Sequence, residues 1–340
     1  MNKVSKFSST PTKKRLRRVK TVIVGTGLAF RAHLSGYRRC KHLALHGIVS
    51  SKNTKIAAQL GVTSFTSLEE ALNDPTVDAI DIAVPNCFHA DMAMSAMRAG
   101  KHVLIEKPLD IDPIKARQVV EESKKHGVIA SYVSQYRFSA GIELMKEVLA
   151  NNGIGELICV NGTLMIERGD VYYSESPWRA DPGKSGGGVL IMNGIHVVDS
   201  LCYLLGRPEV VASRMICTSQ KGFDPIDDTT SLILTFKRSV TASLLFTKCA
   251  DKNNQSRLEF VGRKGRVVLS EFNSVPLKDR EGGTYYRIGK SEAAMFAAQL
   301  DDFGSAIRFG TKLRTPVEEG IISLEAICRA YEMGSYEYVR

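Results

Sequence analysis

A short apolar run, Val19–Val24, leads directly into Gly25-Thr26-Gly27-Leu28-Ala29-Phe30, and this junction constrains the fold more than any other stretch of the chain. A strand that enters a glycine turn and then opens a helix brings backbone N–H groups and a helix N-terminus against a pyrophosphate. The motif alone is a weak signal, but its setting strengthens it. Leu43–Ser50 reads as a second strand, Thr54–Leu60 as a helix ended by Gly61, and Val77–Val84 as a strand entering Pro85. His89–Ala99 reads as a helix ended by Gly100 and His102–Ile105 as the next strand, followed by a helix, Pro113–His126, ended by Gly127, and a strand, Val128–Val133. Strands separated by single helices predict a doubly wound α/β fold with a parallel sheet. Residues 19–136 are therefore expected to form a dinucleotide-binding domain. Phe30 stands where a third glycine usually sets the approach of the first helix, so looser or re-angled packing is expected there.

The second strand bears on which dinucleotide is bound. A site for the unphosphorylated cofactor usually places an acid near the end of that strand, on the ribose hydroxyls. Here the sequence is Gly47-Ile-Val-Ser50-Ser51-Lys52, and no acidic residue precedes Glu69. A 2′-phosphate beside Ser50, Ser51 and Lys52 would meet hydroxyl donors and a cation, so NADP is the expected preference over NAD. The alternative is that Lys52 is a solvated loop lysine and the backbone alone holds the ribose.

With 340 residues the chain exceeds what one core usually serves, so a second domain is expected over 137–340, with its last helices able to return onto the first. The formal charge of +10 hints at nucleic acid, but residues 1–20 hold eight Lys/Arg and no acid, leaving +2 for the rest. The basicity belongs to a leader, 1–18, whose Ser/Thr/Lys composition predicts disorder. It reads as a solubilising leader, a polyanion-contacting arm or a targeting segment, and no sequence-specific nucleic-acid reader accompanies it. Seven cysteines without CxxC spacing argue against disulfides and structural zinc, which predicts a reducing, cytoplasmic setting. No apolar run approaches the length of a membrane span on this reading, and no His/Asp/Glu set has metal-ligand spacing.

Chemistry concentrates at two places. Glu106-Lys107-Pro108 follows the strand His102–Ile105, at the end where parallel sheets bind ligands, and the proline stiffens the turn that carries Lys107. Further on, Trp178-Arg179 precedes Gly186-Gly187-Gly188 and an apolar run containing Met192, Asn193, His196 and Asp199. The glycines invite close approach by another backbone or a ligand. As a helix, the run would place Met192, His196 and Asp199 on one face, with Asn193 about 100° away.

The early glycine turn, Val84-Pro85-Asn86 with His89, Glu106-Lys107-Pro108, and Gly186-Gly-Gly with Gly194-Ile-His196-Val-Val-Asp199 together resemble the glucose–fructose oxidoreductase / inositol dehydrogenase (Gfo/Idh/MocA) family. The resemblance runs from Val19 to the closing stretch, Phe303–Gly310 and Pro316 to Tyr331. It implies a second α/β domain with an open, mostly antiparallel sheet that often mediates dimers or tetramers. It also implies reversible hydride transfer at a hydroxyl carbon of a sugar, cyclitol or related small molecule. Val84, Pro85, Asn86, His89, Glu106, Lys107 and Gln135 then join the cofactor contacts. Lys107 matches the family's lysine that meets substrate and nicotinamide ribose, and His196 its active-site histidine; Gln135 and Arg137 match a polar residue and an arginine before the domain crossing.

One departure stands out. Met192 occupies the place of an aspartate found in many family members four residues before the histidine, and a thioether neither holds charge nor accepts a strong hydrogen bond. That leaves Lys107 and His196 for proton handling. Histidine titrates near neutrality and suits acid/base work, and lysine suits alkoxide stabilisation, so His196 is expected as acid/base and Lys107 as electrostatic partner, with the roles exchangeable. Asp199 reads either as an orienting carboxylate or as a cap or domain contact. Arg179 suits a substrate phosphate or carboxylate, or else pairs with Asp181. Trp178 reads as pocket wall or inter-domain packing, Asn193 as a weak substitute for the lost hydrogen bond, and Tyr172 and Tyr173 as alternative hydroxyl donors. His33 reads as structural or cofactor-adjacent, and His42, His46, His102 and His126 carry no site pattern. Two other functions stay open: a non-catalytic cofactor-binding regulator, favoured by Met192, and an enzyme that retains and recycles its nicotinamide between two sugars or during glycoside hydrolysis.

Overall fold

The computed structural model describes residues 17–50, 54–218, 226–250, 254–271, 275–279, 284–287 and 289–339. The expected leader and the Ser51-Lys52 pair fall mostly or wholly outside these residues. The first domain runs β1 (Val19–Val24), α1 (Leu28–Tyr37), β2 (Leu43–Val49), α2 (Thr54–Leu60), β3 (Thr63–Phe65), α3 (Leu68–Asn73), β4 (Ala79–Ile82), α4 (His89–Arg98), β5 (His102–Ile105), α5 (Pro113–His126) and β6 (Ala130–Tyr132). Its six strands are parallel, in the order β3-β2-β1-β4-β5-β6. Helices cover both faces, so the strands read as apolar runs; Ile23, Ile48, Ile80 and Ile105 are fully buried. The crevice where strand order reverses lies between β1 and β4, just beyond Val24 and Ile82. Helix α5 shows how locally the elements are encoded. Asp112 accepts the Ile114 N–H at 2.7 Å, Pro113 opens the helix, and Gly127 ends it at φ 62°.

The second domain contains α6 (Ala140–Ala150), β7 (Leu157–Met165), α7 (Asp170–Ser174), α8 (Pro182–Ser185), α9 (Ile195–Leu205), β8 (Glu209–Thr218), β9 (Ile226–Phe236), β10 (Val240–Thr247), β11 (Gln255–Gly262), β12 (Gly265–Ser270), β13 (Val275–Asp279), β14 (Thr284–Arg287), α10 (Glu292–Phe309), α11 (Val317–Met333) and β15 (Ser335–Val339). One sheet holds all nine strands, β14-β13-β12-β11-β7-β10-β9-β8-β15. It is antiparallel except for the β7–β10 and β8–β15 pairs. Alternate residues of β9 and β10 are buried, so Leu234 and Phe246 join Leu190 and Leu201 in the core while the other face stays open.

The last two long helices tie the domains together. Helix α10 packs on α1, and α11 packs on α5 and α9. Phe30 joins Ile23, Ile48, Phe296 and Leu300 in one cluster, so the first helix is held from both sides. The expectation about apolar length needs correction. Pro182–Leu205 reaches a mean hydropathy of 1.6 over a span-length window, but it is interrupted by Gly186–Gly188 and a π turn and lies mostly inside the core.

Candidate active site

A cavity of about 1000 Å³, at the upper end for ligand pockets, opens at the carboxyl ends of β1, β2, β4 and β5. The loop after β7 and the starts of the α9 segment and α10 complete its wall. Gly25, Thr26, Gly27, Leu28 and Ala29 line it with Ser50, Val84, Pro85, Asn86, His89, Glu106, Lys107 and Gln135, all of them residues expected as cofactor contacts. Gly25 has φ 102°, and a Cβ there would lie 2.2 Å from the Ala83 carbonyl oxygen. No atom lies within 4 Å of a Cβ built on Gly27, which caps α1 without a side-chain bond, so the first N–H groups of that helix face open space. Gln135 is 5% exposed, and its Oε1 has no hydrogen-bond donor among the described residues. A pyrophosphate at the glycine turn and an amide donor at Gln135 fit this cradle, so a dinucleotide is compatible with the residues present. Phe30 is the exception among the expected contacts: its ring is buried in the core and does not line the cavity.

Beneath the cavity lies a charged triad that sequence reasoning missed. His33 is fully buried, with Nδ1 2.9 Å from Asp81 Oδ2 and Nε2 2.8 Å from Glu106 Oε1. Burial opposes its charge, but the two carboxylates outweigh it and raise its pKa to about 10. Burial likewise opposes the charge of Glu106, yet His33 and then Lys107 bring its pKa down to about 2. Glu106 Oε2 accepts the Lys107 N–H at 3.0 Å, so the triad fixes the turn that presents Lys107. His89 braces the same turn, its ring nitrogens 2.6 Å from the Pro108 oxygen and 2.9 Å from the Val84 oxygen.

Lys107 Nζ donates to the Met192 carbonyl at 2.7 Å, which leaves two of its N–H bonds for a ligand. Burial lowers its pKa, Glu106 opposes that shift, and Arg168 and Arg179 add to it. The helical face expected for Met192, His196 and Asp199 is not formed. Leu190–Gly194 is a π turn, whose i→i+5 pattern shifts the register by one residue. Met192 and Asn193 therefore both line the cavity, whereas His196 does not. The His196 ring instead packs edge-on against Tyr136, 4.9 Å between centroids. Burial, followed by the nearby Lys107 charge, lowers its pKa to about 3. The glycines before this turn admit protein rather than ligand: a Cβ on Gly188 would lie 1.9 Å from the Asp227 carbonyl oxygen, and one on Gly187 would lie 2.4 Å from Tyr331 Oη.

Asp199 is structural. Its carboxylate accepts Arg137 Nε at 2.9 Å, Arg137 Nη2 at 2.8 Å, Tyr132 Oη at 2.5 Å and the Ser134 hydroxyl, and does not orient His196. Arg137 also pairs with Glu319 on α11, locking the domain crossing. Arg179 and Trp178 line the cavity, and the open alternative for Arg179 falls away because Asp181 pairs with Lys184 and caps α8. Arg168, Tyr172 and Glu292 also line it and carried no sequence signal as a group. Among the described residues no cluster of His, Cys, Asp and Glu has metal-binding geometry.

Comparison with known proteins agrees with this architecture. The profile for an oxidoreductase family with an NAD-binding Rossmann fold (GFO_IDH_MocA) matches residues 19–134, and that for the family's C-terminal domain matches 142–268. The 1,5-anhydro-D-fructose reductase of Ensifer adhaerens is 27% identical over 272 residues, 77% of this chain and 78% of that protein. The myo-inositol 2-dehydrogenase of Thermotoga maritima is 25% identical over 269 residues, 76% of this chain and 78% of that protein. A structure of levoglucosan dehydrogenase with NADH and levoglucosan shares the fold at a TM-score of 0.84 and 21% identity, covering 93% of this chain and 97% of that one. By both of its domains, the chain belongs to the Gfo/Idh/MocA family of oxidoreductases.

Proposed function

We propose that the protein reversibly oxidises a hydroxyl carbon of a sugar, cyclitol or sugar derivative, with NADP(H) preferred to NAD(H). The observation that carries this reading is Lys107, held rigidly at the cavity wall with its pKa lowered by burial. Bound in the cavity, the nicotinamide supplies the hydride acceptor or donor. Lys107 Nζ takes the hydroxyl proton as the ketone forms and returns it in reduction; the depressed pKa makes the neutral amine accessible. This exchanges the roles expected from sequence. His196, neutral and off the wall, positions the segment beside Lys107 through its contact with Tyr136. Asn86 donates to the Ser185 carbonyl at 2.8 Å and reaches Met192 Sδ at 3.3 Å, holding the second domain against the cofactor turn.

The NADP preference is supported by Ser50, Thr66 and Arg31, which line the cavity without an accompanying carboxylate on β2. Relatives named as an anhydrofructose reductase and an inositol dehydrogenase support the substrate class. A screen of sugars, cyclitols and their phosphates for absorbance change at the nicotinamide band tests the reaction. Lys107→Met should lower kcat by about 10²–10⁴ while cofactor affinity stays nearly unchanged, and undiminished turnover would reject the site.

A further inference from the structure

We infer that the substrate carries an anionic group, a carboxylate or a phosphate ester, held by Arg168 and Arg179 beside Lys107. The inference rests on the dehydrogenase reading above and narrows its substrate class.

Three cations converge on one side of the cavity. Arg168 comes from the loop after β7, Arg179 from the turn Pro177–Arg179, and Lys107 from the turn after β5. No carboxylate among the described residues lies within ion-pair distance of either guanidinium. Glu106 on the wall is engaged by His33, and Glu292, the other carboxylate there, pairs with neither arginine. Met192 supplies no charge in return. Both forks are also held ready. Arg179 is 7% exposed, its Cζ lies 4.2 Å from the Tyr172 ring centroid and 5.6 Å from that of Trp178, and Nη1 donates to the Tyr172 carbonyl at 3.0 Å. Aromatic contact occupies the guanidinium face and leaves the remaining N–H edge for a ligand. Arg168 Cζ lies 4.9 Å from the centroid of the same Tyr172 ring, Nη1 donates to the Glu167 carbonyl at 3.0 Å, and the buried Nε has no hydrogen-bond partner among the described residues. An orphaned buried donor is costly unless a ligand accepts from it. A neutral polyol offers weak acceptors to such forks, whereas a carboxylate or phosphate offers charge and paired oxygens.

Trp178 is the chain's single tryptophan and stands beside Arg179, so its fluorescence reports on this site. The NADP⁺-saturated enzyme is titrated with D-glucose, D-glucuronate and D-glucose 6-phosphate against KCl at matched ionic strength. At least one anionic sugar should give a saturable change with Kd about tenfold or more below that of glucose, and the better of the two identifies carboxylate or phosphate. Arg179→Gln and Arg168→Gln should each raise that Kd by about tenfold or more. Arg168 is half-buried, so its variant keeps the test available if the buried Arg179 substitution fails to fold. Glucose binding as tightly as both anions, or anion binding unchanged in the variants, overturns the inference. The titration reads occupancy of the sugar site at Trp178 rather than reduction of the nicotinamide, so a failure of the activity screen does not decide it.

Discussion

Replacing His33 with leucine tests the buried triad and, through it, the platform for Lys107. The substitution removes the one cation between Asp81 and Glu106, which are 0% and 8% exposed. Asp81 keeps the Tyr37 hydroxyl at 3.1 Å and Glu106 keeps the Lys107 N–H at 3.0 Å, so two buried negative charges remain with one donor each among the described contacts. Breaking a buried pair by deleting one partner costs about 3–5 kcal/mol, which is the loss expected at pH 7. The pH dependence gives a sharper check. In the native protein His33 is raised from 6.5 to about 10, so its contribution is complete below 6.5 and lost as pH climbs through about 10. Glu106 is lowered from 4.5 to about 2, so its contribution is present above 4.5 and lost as pH falls toward about 2. In the variant Glu106 loses the cation that holds its pKa down, its folded pKa rises, and protonation relieves it. The stability gap should therefore narrow as pH falls from 6 toward 4.5, a range where the native triad is unchanged. Urea unfolding followed by circular dichroism across that range measures it. A loss under about 1 kcal/mol at pH 7, or a gap that stays constant, would refute the charged triad.

The rate of alcohol oxidation should rise with pH and level off below the ordinary lysine value of 10.5, because burial lowers the pKa of the base, Lys107. His196→Asn should leave that profile without any new feature near 6.5, since burial already holds the imidazole neutral down to about 3; an inflection near 6.5 lost in the variant would return the acid/base role to histidine. Met192→Asp places a carboxylate near Lys107 and should shift the rising limb to higher pH while weakening anionic substrates by about tenfold, read from kcat/KM profiles. Michaelis constants for the two cofactors should favour NADP, and equal or better use of NAD would refute the reading of Ser50 and its neighbours.

The dinucleotide cradle was legible because each of its parts is local: a strand end, a glycine turn and a helix start lie within a few residues. Strand β3 and helix α3 escaped notice because three and six residues are too short for periodicity, although Ser67 accepting the Glu70 N–H is a readable cap. The π turn had no signal, since no residue pattern specifies an i→i+5 bond, and it is Met192 and Asn193, rather than His196, that line the cavity beyond it. Of the two readings of Asp199 the domain contact is the one formed, but its partners Tyr132, Ser134 and Arg137 lie more than 60 residues upstream and only the fold names them. The triad was half visible. Asp81 sits within Ala79-Ile-Asp-Ile82, a strand too apolar and central to leave a carboxylate unpaired, and only the identity of its partner required the fold.

Charge pairing in the interior explains why the cavity selects as it is inferred to. Glu106 and Asp81 are matched by His33, Asp199 by Arg137, and Asp228 by Lys248, while Asp227 is held by the Tyr331 hydroxyl and by backbone N–H groups. Each buried anion is thus committed to keeping an element in place: the Lys107 turn, the domain crossing, the second sheet, the start of the helical segment after Gly188. Lys107, Arg168 and Arg179 face the cavity with no comparable carboxylate reserved for them among the described residues. With methionine rather than an acid at 192, the potential there stays positive until something enters. An anionic substrate would supply the missing charge, relieve the repulsion that helps depress Lys107, and alter its proton affinity on binding. Anion recognition and proton transfer would then be coupled through the same three residues, so loss of either arginine should change the pH profile of turnover as well as substrate affinity.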